Sequence, residues 1–192
     1  MFSEIALVFD VNVWIDAAIC LKKMGRIPPI SESSGSSSQS ASLCFSWFAQ
    51  DSSIRFHLFT DDLIQQVAYR KLVQPVTASR REDQGLGWSP PEAVKQLSAL
   101  LRLVDATGRS FRVAPPAKPG SIGDDFEDER VFGVLEHATF RFPEMVAIMV
   151  TNDRSFASEI TVKSPILASG LPRWAAMSPM RFIQQIAMRA RT

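Results

Sequence analysis

Histidine and cysteine are scarce in this chain of 192 residues, which has only His57, His137, Cys20 and Cys44. Two histidines give imidazole-based metal sites or acid–base pairs little to draw on. The cysteines lie in apolar stretches without C-x-x-C spacing. That argues against a disulfide framework and fits reduced core thiols in a cytosolic protein. Net charge is nearly absent as well, because 21 Lys+Arg face 20 Asp+Glu and leave +1. No overall field announces nucleic-acid binding, although a local patch can hold phosphate whatever the total. No apolar run approaches the roughly 20 residues that span a bilayer. Met1-Phe2-Ser3-Glu4 lacks the basic opening of a secretion signal, so the expectation is a cytoplasmic chain with no membrane partner. There is no G-x-S-x-G elbow and no G-x-x-x-x-G-K-[ST] phosphate loop.

What is present is ordinary for one soluble domain, with 46% hydrophobic and 21% charged residues. Ile5-Ala6-Leu7-Val8-Phe9 is a continuous apolar run ending at Asp10, the pattern of a strand buried on both faces. Trp14 to Met24 has helical periodicity. From Ser31 to Ser42, eight of twelve residues are Ser, a composition that predicts a mobile loop at 31–42. Ile54 to Phe59 is a second strand candidate. Thr60 then reads as an N-cap, with Asp61 and Asp62 in the first turn of a helix reaching Val73. Residues 74–89 read as a polar loop, Pro90 to Val104 as a helix and Ser110 to Val113 as a short strand. A Pro/Gly-rich loop from Pro115 to Gly123 precedes a helix from about Phe126 to Ala138. Met145 to Val150 is the strongest strand, Ser164 to Leu167 is a candidate last one, and Ser178-Pro179 opens a final helix. Alternating strands and helices predict a single domain over 1–192. The expected fold is a three-layer α/β/α sandwich around a central, mostly parallel sheet.

In such a sheet, ligands bind outside the carboxyl ends of the strands. Two of the best strands end in an acid, Phe9-Asp10 and Val150-Thr151-Asn152-Asp153. A third acidic group, Asp124-Asp125-x-Glu127-Asp128, stands at a loop-to-helix junction. Taken singly, each acid has an ordinary explanation as a cap or an Asx turn. Together at one sheet edge they repel one another unless something positive neutralises them. Mg²⁺, which favours a few carboxylates, waters and substrate phosphates, is a natural partner.

Val8-Phe9-Asp10-Val11-Asn12-Val13-Trp14-Ile15-Asp16 resembles the opening motif of PIN domains. Asp125-Phe126-Glu127-Asp128-Glu129-Arg130-Val131 is similar to their second acidic motif. Val150-Thr151-Asn152-Asp153-Arg154-Ser155-Phe156 is similar to their Thr-Asn-Asp motif, and Ser178-Pro179-Met180-Arg181-Phe182 to the start of their final helix. The four follow the family's order over nearly the whole chain. The resemblance implies a metal-dependent endoribonuclease, often the toxin of a bacterial toxin–antitoxin pair. It implies Mg²⁺ or Mn²⁺ as cofactor, RNA as substrate, an antitoxin as partner and a homodimer as assembly. Asp10, Asp128 and Asp153 become metal ligands and catalytic residues, with Asn12 and Thr151 orienting them. Asp125 becomes an accessory ligand, with helix capping as its ordinary alternative.

One departure bears on activity. Where the family places a Glu on the helix after the second strand, this sequence has Gln66, which offers an oxygen without a charge. Asp62, a turn earlier on the same face, is a partial substitute or simply a partner of the helix dipole. This departure gives ground to one alternative, a weak or inactive PIN-like module that binds RNA or protein without cutting. Another, a phosphatase resembling the haloacid dehalogenases, rests on Gly123-Asp124-x-x-x-Asp128 and Asp10-Val11-Asn12, which resemble that superfamily's last acidic and nucleophile motifs. The phosphatase would need a second acid where Asn12 stands, and an apolar strand ahead of Gly123-Asp124.

Overall fold

A computed structural model describes residues 4–32, 35–50, 53–76, 85–114, 126–167, 170 and 172–187. Among them the chain runs β1 (Glu4–Phe9), α1 (Val11–Met24), α2 (Ser37–Ala49), β2 (Arg55–Thr60), α3 (Asp62–Val73) and α4 (Pro90–Ala106). It continues as β3 (Ser110–Arg112), α5 (Phe126–Arg141), β4 (Val146–Val150), α6 (Arg154–Val162), β5 (Trp174–Met177) and α7 (Pro179–Phe182), and a π-helical turn closes it at Ile183–Ala187. The strand order is β3-β2-β1-β4-β5 and every pairing is parallel. This is the expected α/β/α architecture. Right-handed crossovers put α1 to α4 on one face and α5 and α6 on the other.

β1 is the middle strand, and Ala6, Leu7 and Val8 are fully buried. A strand covered by helices on both faces has no polar side, which explains its unbroken apolar run. Against one face, the α2 ring of Phe45 packs on Phe9 and Trp14 at 4.8 Å between centroids in each case. In the layer containing α5, Phe132 meets Trp174 of β5 edge-on. Both cysteines are free and buried, and among the described residues no helix is long and apolar enough to cross a membrane.

Three local expectations are corrected. The serine-rich stretch does not remain a loop, because α2 begins inside it. Ser36 accepts from the Gln39 amide as N-cap, and Ser40 and Ser42 are buried within the helix. The apolar residues that follow, Leu43 to Phe48, drive this. They bury a helical face, and the cap contributes about 1 kcal/mol. Thr60 is not the cap of α3 but the last residue of β2. The cap is Asp61, whose carboxylate accepts from the Leu63 amide at 2.8 Å. Finally, the last strand is Trp174–Met177, not Ser164 to Leu167, where Ile166 makes only an isolated antiparallel bridge to Pro172.

The described end of the 74–89 segment is tied back onto α3. The amides of Leu86, Gly87 and Trp88 bond the carbonyls of Lys71, Gln74 and Leu72. Gly87 holds φ +62°, a left-handed conformation that glycine adopts without strain.

Candidate active site

Strand order reverses between β1 and β4, since the chain leaves β1 toward β2 on one side and reaches β5 beyond β4 on the other. The crevice outside the carboxyl ends of two such strands is where open α/β sheets bind ligands. Phe9 pairs with Val150 across this seam, so Asp10 stands beside Thr151, with Asn152 and Asp153 following. Register thus brings together two of the sequence-predicted acids.

Asp10 occupies the N-cap position of α1, yet its side chain makes no capping bond. Instead Oδ2 accepts from the Thr151 hydroxyl at 2.7 Å and, more distantly, from Asn12 Nδ2 at 3.4 Å. The residue is only 4% exposed. Burial pushes its carboxyl up to about 6, even though the Thr151 hydroxyl, the backbone of Val11 and the charge of Lys71 pull the other way, and Asp153 adds to the rise. A carboxylate so deeply placed is costly to keep charged. Asp153 differs. It caps α6, with Oδ1 accepting from the Ser155 hydroxyl at 2.6 Å and the Phe156 amide at 2.9 Å, and these bonds hold its pKa below the usual carboxylate value. The Thr151 hydroxyl joins the pair, because it also accepts from the Asp153 amide at 3.0 Å.

Replacing Thr151 by Val keeps the shape but leaves Asp10 without its strongest donor. A loss of about 1–3 kcal/mol at pH 7 is expected in urea melts, with Thr151→Ser close to wild type. Equal stability of the Val and Ser variants would show that the hydroxyl does not support the carboxylate.

The remaining expected residues are less tightly gathered. Asp128 is half-buried in the first turn of α5. Asp124 and Asp125 lie outside the described residues. Asp62 is exposed and pairs with Arg112 at 3.3 Å, and Gln66 is exposed too. Its neighbour Gln65 turns inward, with Nε2 buried and without a partner among the described residues. Among the described residues no three His, Cys, Asp or Glu side chains form a group that could hold a metal ion. The two acids that the seam brings into electrostatic contact are Asp10 and Asp153.

Sequence reasoning missed several groups around this edge. Asn152 Nδ2 donates to Asp16 Oδ2 at 2.7 Å, and Ser37 Oγ donates to the same oxygen at 2.9 Å. This knot ties α1 to the start of α2 and to the loop carrying Asp153, and burial raises the pKa of Asp16. Asp16 was visible six residues after Asp10 but carried no spacing signal of its own. Glu127 accepts from Arg70 at 3.0 Å and pairs with Lys71 at 2.5 Å. Arg130 Nε meets Asp61 at 2.6 Å. These pairs cross between helices remote in sequence, so only the fold reveals them.

Compared with models of protein families, with curated proteins and with solved structures, the chain has no match.

Proposed function

We propose that the chain is a metal-dependent endoribonuclease of PIN-like type, with Asp10 and Asp153 anchoring Mg²⁺ or Mn²⁺ beside the scissile phosphate. The observation that carries this reading is Asp10 itself, a buried acid at the switch point of a parallel sheet whose carboxyl interacts electrostatically with a second acid, Asp153. A buried carboxylate costs the fold stability when it is charged, and a divalent cation would offset that cost. When bound, a divalent ion would lower the pKa of a coordinated water and offset charge on the phosphate.

The chain's own groups have separate tasks in this reading. Thr151 fixes the orientation of the Asp10 carboxylate, and Asn12 adds a weaker bond to the same oxygen. Asp153, kept ionised by its capping bonds, supplies the second charge. Asp128, in the first turn of α5, would be the third acid in this reading. An antitoxin partner, a homodimer and a cytoplasmic location rest on the resemblance to PIN domains alone.

A second reading, a module that binds RNA or protein without cutting, is favoured by the exposed Gln66 and by the absence of a three-acid group among the described residues. Incubation with labelled RNA separates the two. Fragments should form with Mn²⁺ or Mg²⁺, disappear with EDTA, and be lost in Asp153→Asn. RNA shifted on a gel but left whole with Mn²⁺ would support the binding module instead.

A further inference from the structure

The charges of this chain nearly cancel in total but are unevenly placed along it. From Ile160 to Thr192 there is no acid, whereas Lys163, Arg173, Arg181, Arg189 and Arg191 all fall there. The residues before Ile160 hold the other 16 cations and all 20 acids. This acid-free stretch contains β5 and the start of α7, and the sheet brings them to the edge where Asp10 and Asp153 stand. Val150 pairs with Met177, and the Thr151 amide donates to the Met177 carbonyl at 3.0 Å. Ser178 follows as the cap of α7, accepting from the Arg181 amide at 3.3 Å. Arg154 is the first residue of α6, directly after its cap Asp153. Long side chains of a helix lean toward its N-terminus, which for both arginines is the carboxyl edge of the sheet.

The two halves of this edge differ in what their cations do. On the β2–β3 half, Arg112 pairs with Asp62 at 3.3 Å and Arg130 with Asp61 at 2.6 Å. On the β4–β5 half, Arg154 and Arg181 are exposed and neither has an ion pair among the described residues. No acid stands three or four residues from either of them, the spacing at which a helix would supply a partner.

We propose that Arg154 and Arg181 form a phosphate track, holding the backbone of single-stranded RNA where it passes over the β4–β5 side of the crevice. This rests on the ribonuclease reading and deepens it, naming the side on which the strand is held. A phosphate approaching Asp10 and Asp153 meets like charge, so the substrate needs positive charge beside the acids. Guanidinium groups suit this, because they bond phosphate oxygens in pairs and keep their charge. Such contacts position a strand without reading its bases, so the track favours no sequence.

Fluorescence anisotropy of the full chain with a labelled single-stranded RNA, in EDTA so that nothing is cut, tests this across a series of KCl concentrations. Arg154→Gln and Arg181→Gln should each weaken binding about fivefold near 0.1 M salt. Each should also flatten the slope of log K against log[salt] by about 0.7, the share of one phosphate contact on a single strand. The double variant should lose about twice that slope. Arg102→Gln removes another exposed cation, from the part of α4 that runs toward the amino end of β3. It should match wild type, and thermal melts should show every variant folded. Unchanged slopes in the folded Arg154 and Arg181 variants, or an equal loss in Arg102→Gln, would overturn the track. Mn²⁺-dependent cleavage by those variants would then leave the nuclease reading standing. Binding that depends on the two arginines, in a wild type that cuts no RNA with Mn²⁺, would keep the track and remove the nuclease. A wild type that binds no RNA would overturn both.

Discussion

Asp10→Asn should abolish RNA cleavage and, in metal-free buffer at pH 7.5, make the protein more stable than wild type. The two effects share one cause. Burial raises the Asp10 carboxyl from 3.8 to about 6, so the folded state binds its proton more tightly than the unfolded chain does. Between about pH 4 and pH 6 the native protein therefore carries more protons, and stability falls as pH rises through that window. Above it the full penalty for a charged, buried acid is present, about 3 kcal/mol for a rise of this size. Asparagine has the same shape and no charge, so most of that penalty should vanish. A gain of about 2 kcal/mol corresponds to a rise in Tm of roughly 4–8 °C in a chain of this length. The gap between the proteins should narrow as pH falls toward 4. A variant that loses activity with unchanged or lower Tm at pH 7.5 would show that the carboxylate is not strained. Such a trade of stability for function is common where active sites hold groups the fold alone would not choose.

The second large effect concerns the clamp between α3 and α5. Arg130 Nε meets Asp61 Oδ2 at 2.6 Å, and the side chains are 18% and 4% exposed. The other oxygen of Asp61 caps α3. Taking away Arg130 leaves a buried carboxylate without its counter-charge, a change that typically destabilises by about 3–5 kcal/mol. Arg130→Met, which keeps much of the side chain's bulk, should therefore lower stability by roughly 3 kcal/mol in urea or thermal melts. Because α5 also carries Glu127 and Asp128, the acids at its first turn should loosen with it, and cleavage should fall further than the loss of folded protein explains. A variant within about 0.5 kcal/mol of wild type would place the pair among the weak surface bridges.

Much of the frame was legible because parallel, doubly covered strands announce themselves as unbroken apolar runs. β1 and β4 were visible in this way, and the Ser178-Pro179 cap marked α7. With those two strands came the position of Asp10 and Asp153, since Asp10 directly follows β1 and Asp153 stands three residues beyond the end of β4. The serine-rich stretch misled because composition ranks each residue by itself. Serine is small enough to be buried in a helix, and the aromatic residues after it decide the conformation. β5 was missed because Trp174-Ala175-Ala176-Met177 is four residues long with a weakly apolar centre, whereas Ser164 to Leu167 looks as strand-like locally. What no pattern could show is pairing across distance. The links of Lys71 to Glu127, Asp61 to Arg130 and Asp16 to Asn152 depend on helix packing, and the same packing decides that Gln65 rather than Gln66 turns inward.

Crystals soaked in Mn²⁺, with anomalous density mapped around the ends of β1 and β4, test the metal site most directly. A single peak should lie within coordinating distance of an Asp10 oxygen, close to Asp153, and should be missing from Asp10→Asn crystals. Density that is absent there in the wild type, or that persists at full height without the Asp10 carboxylate, would contradict the account.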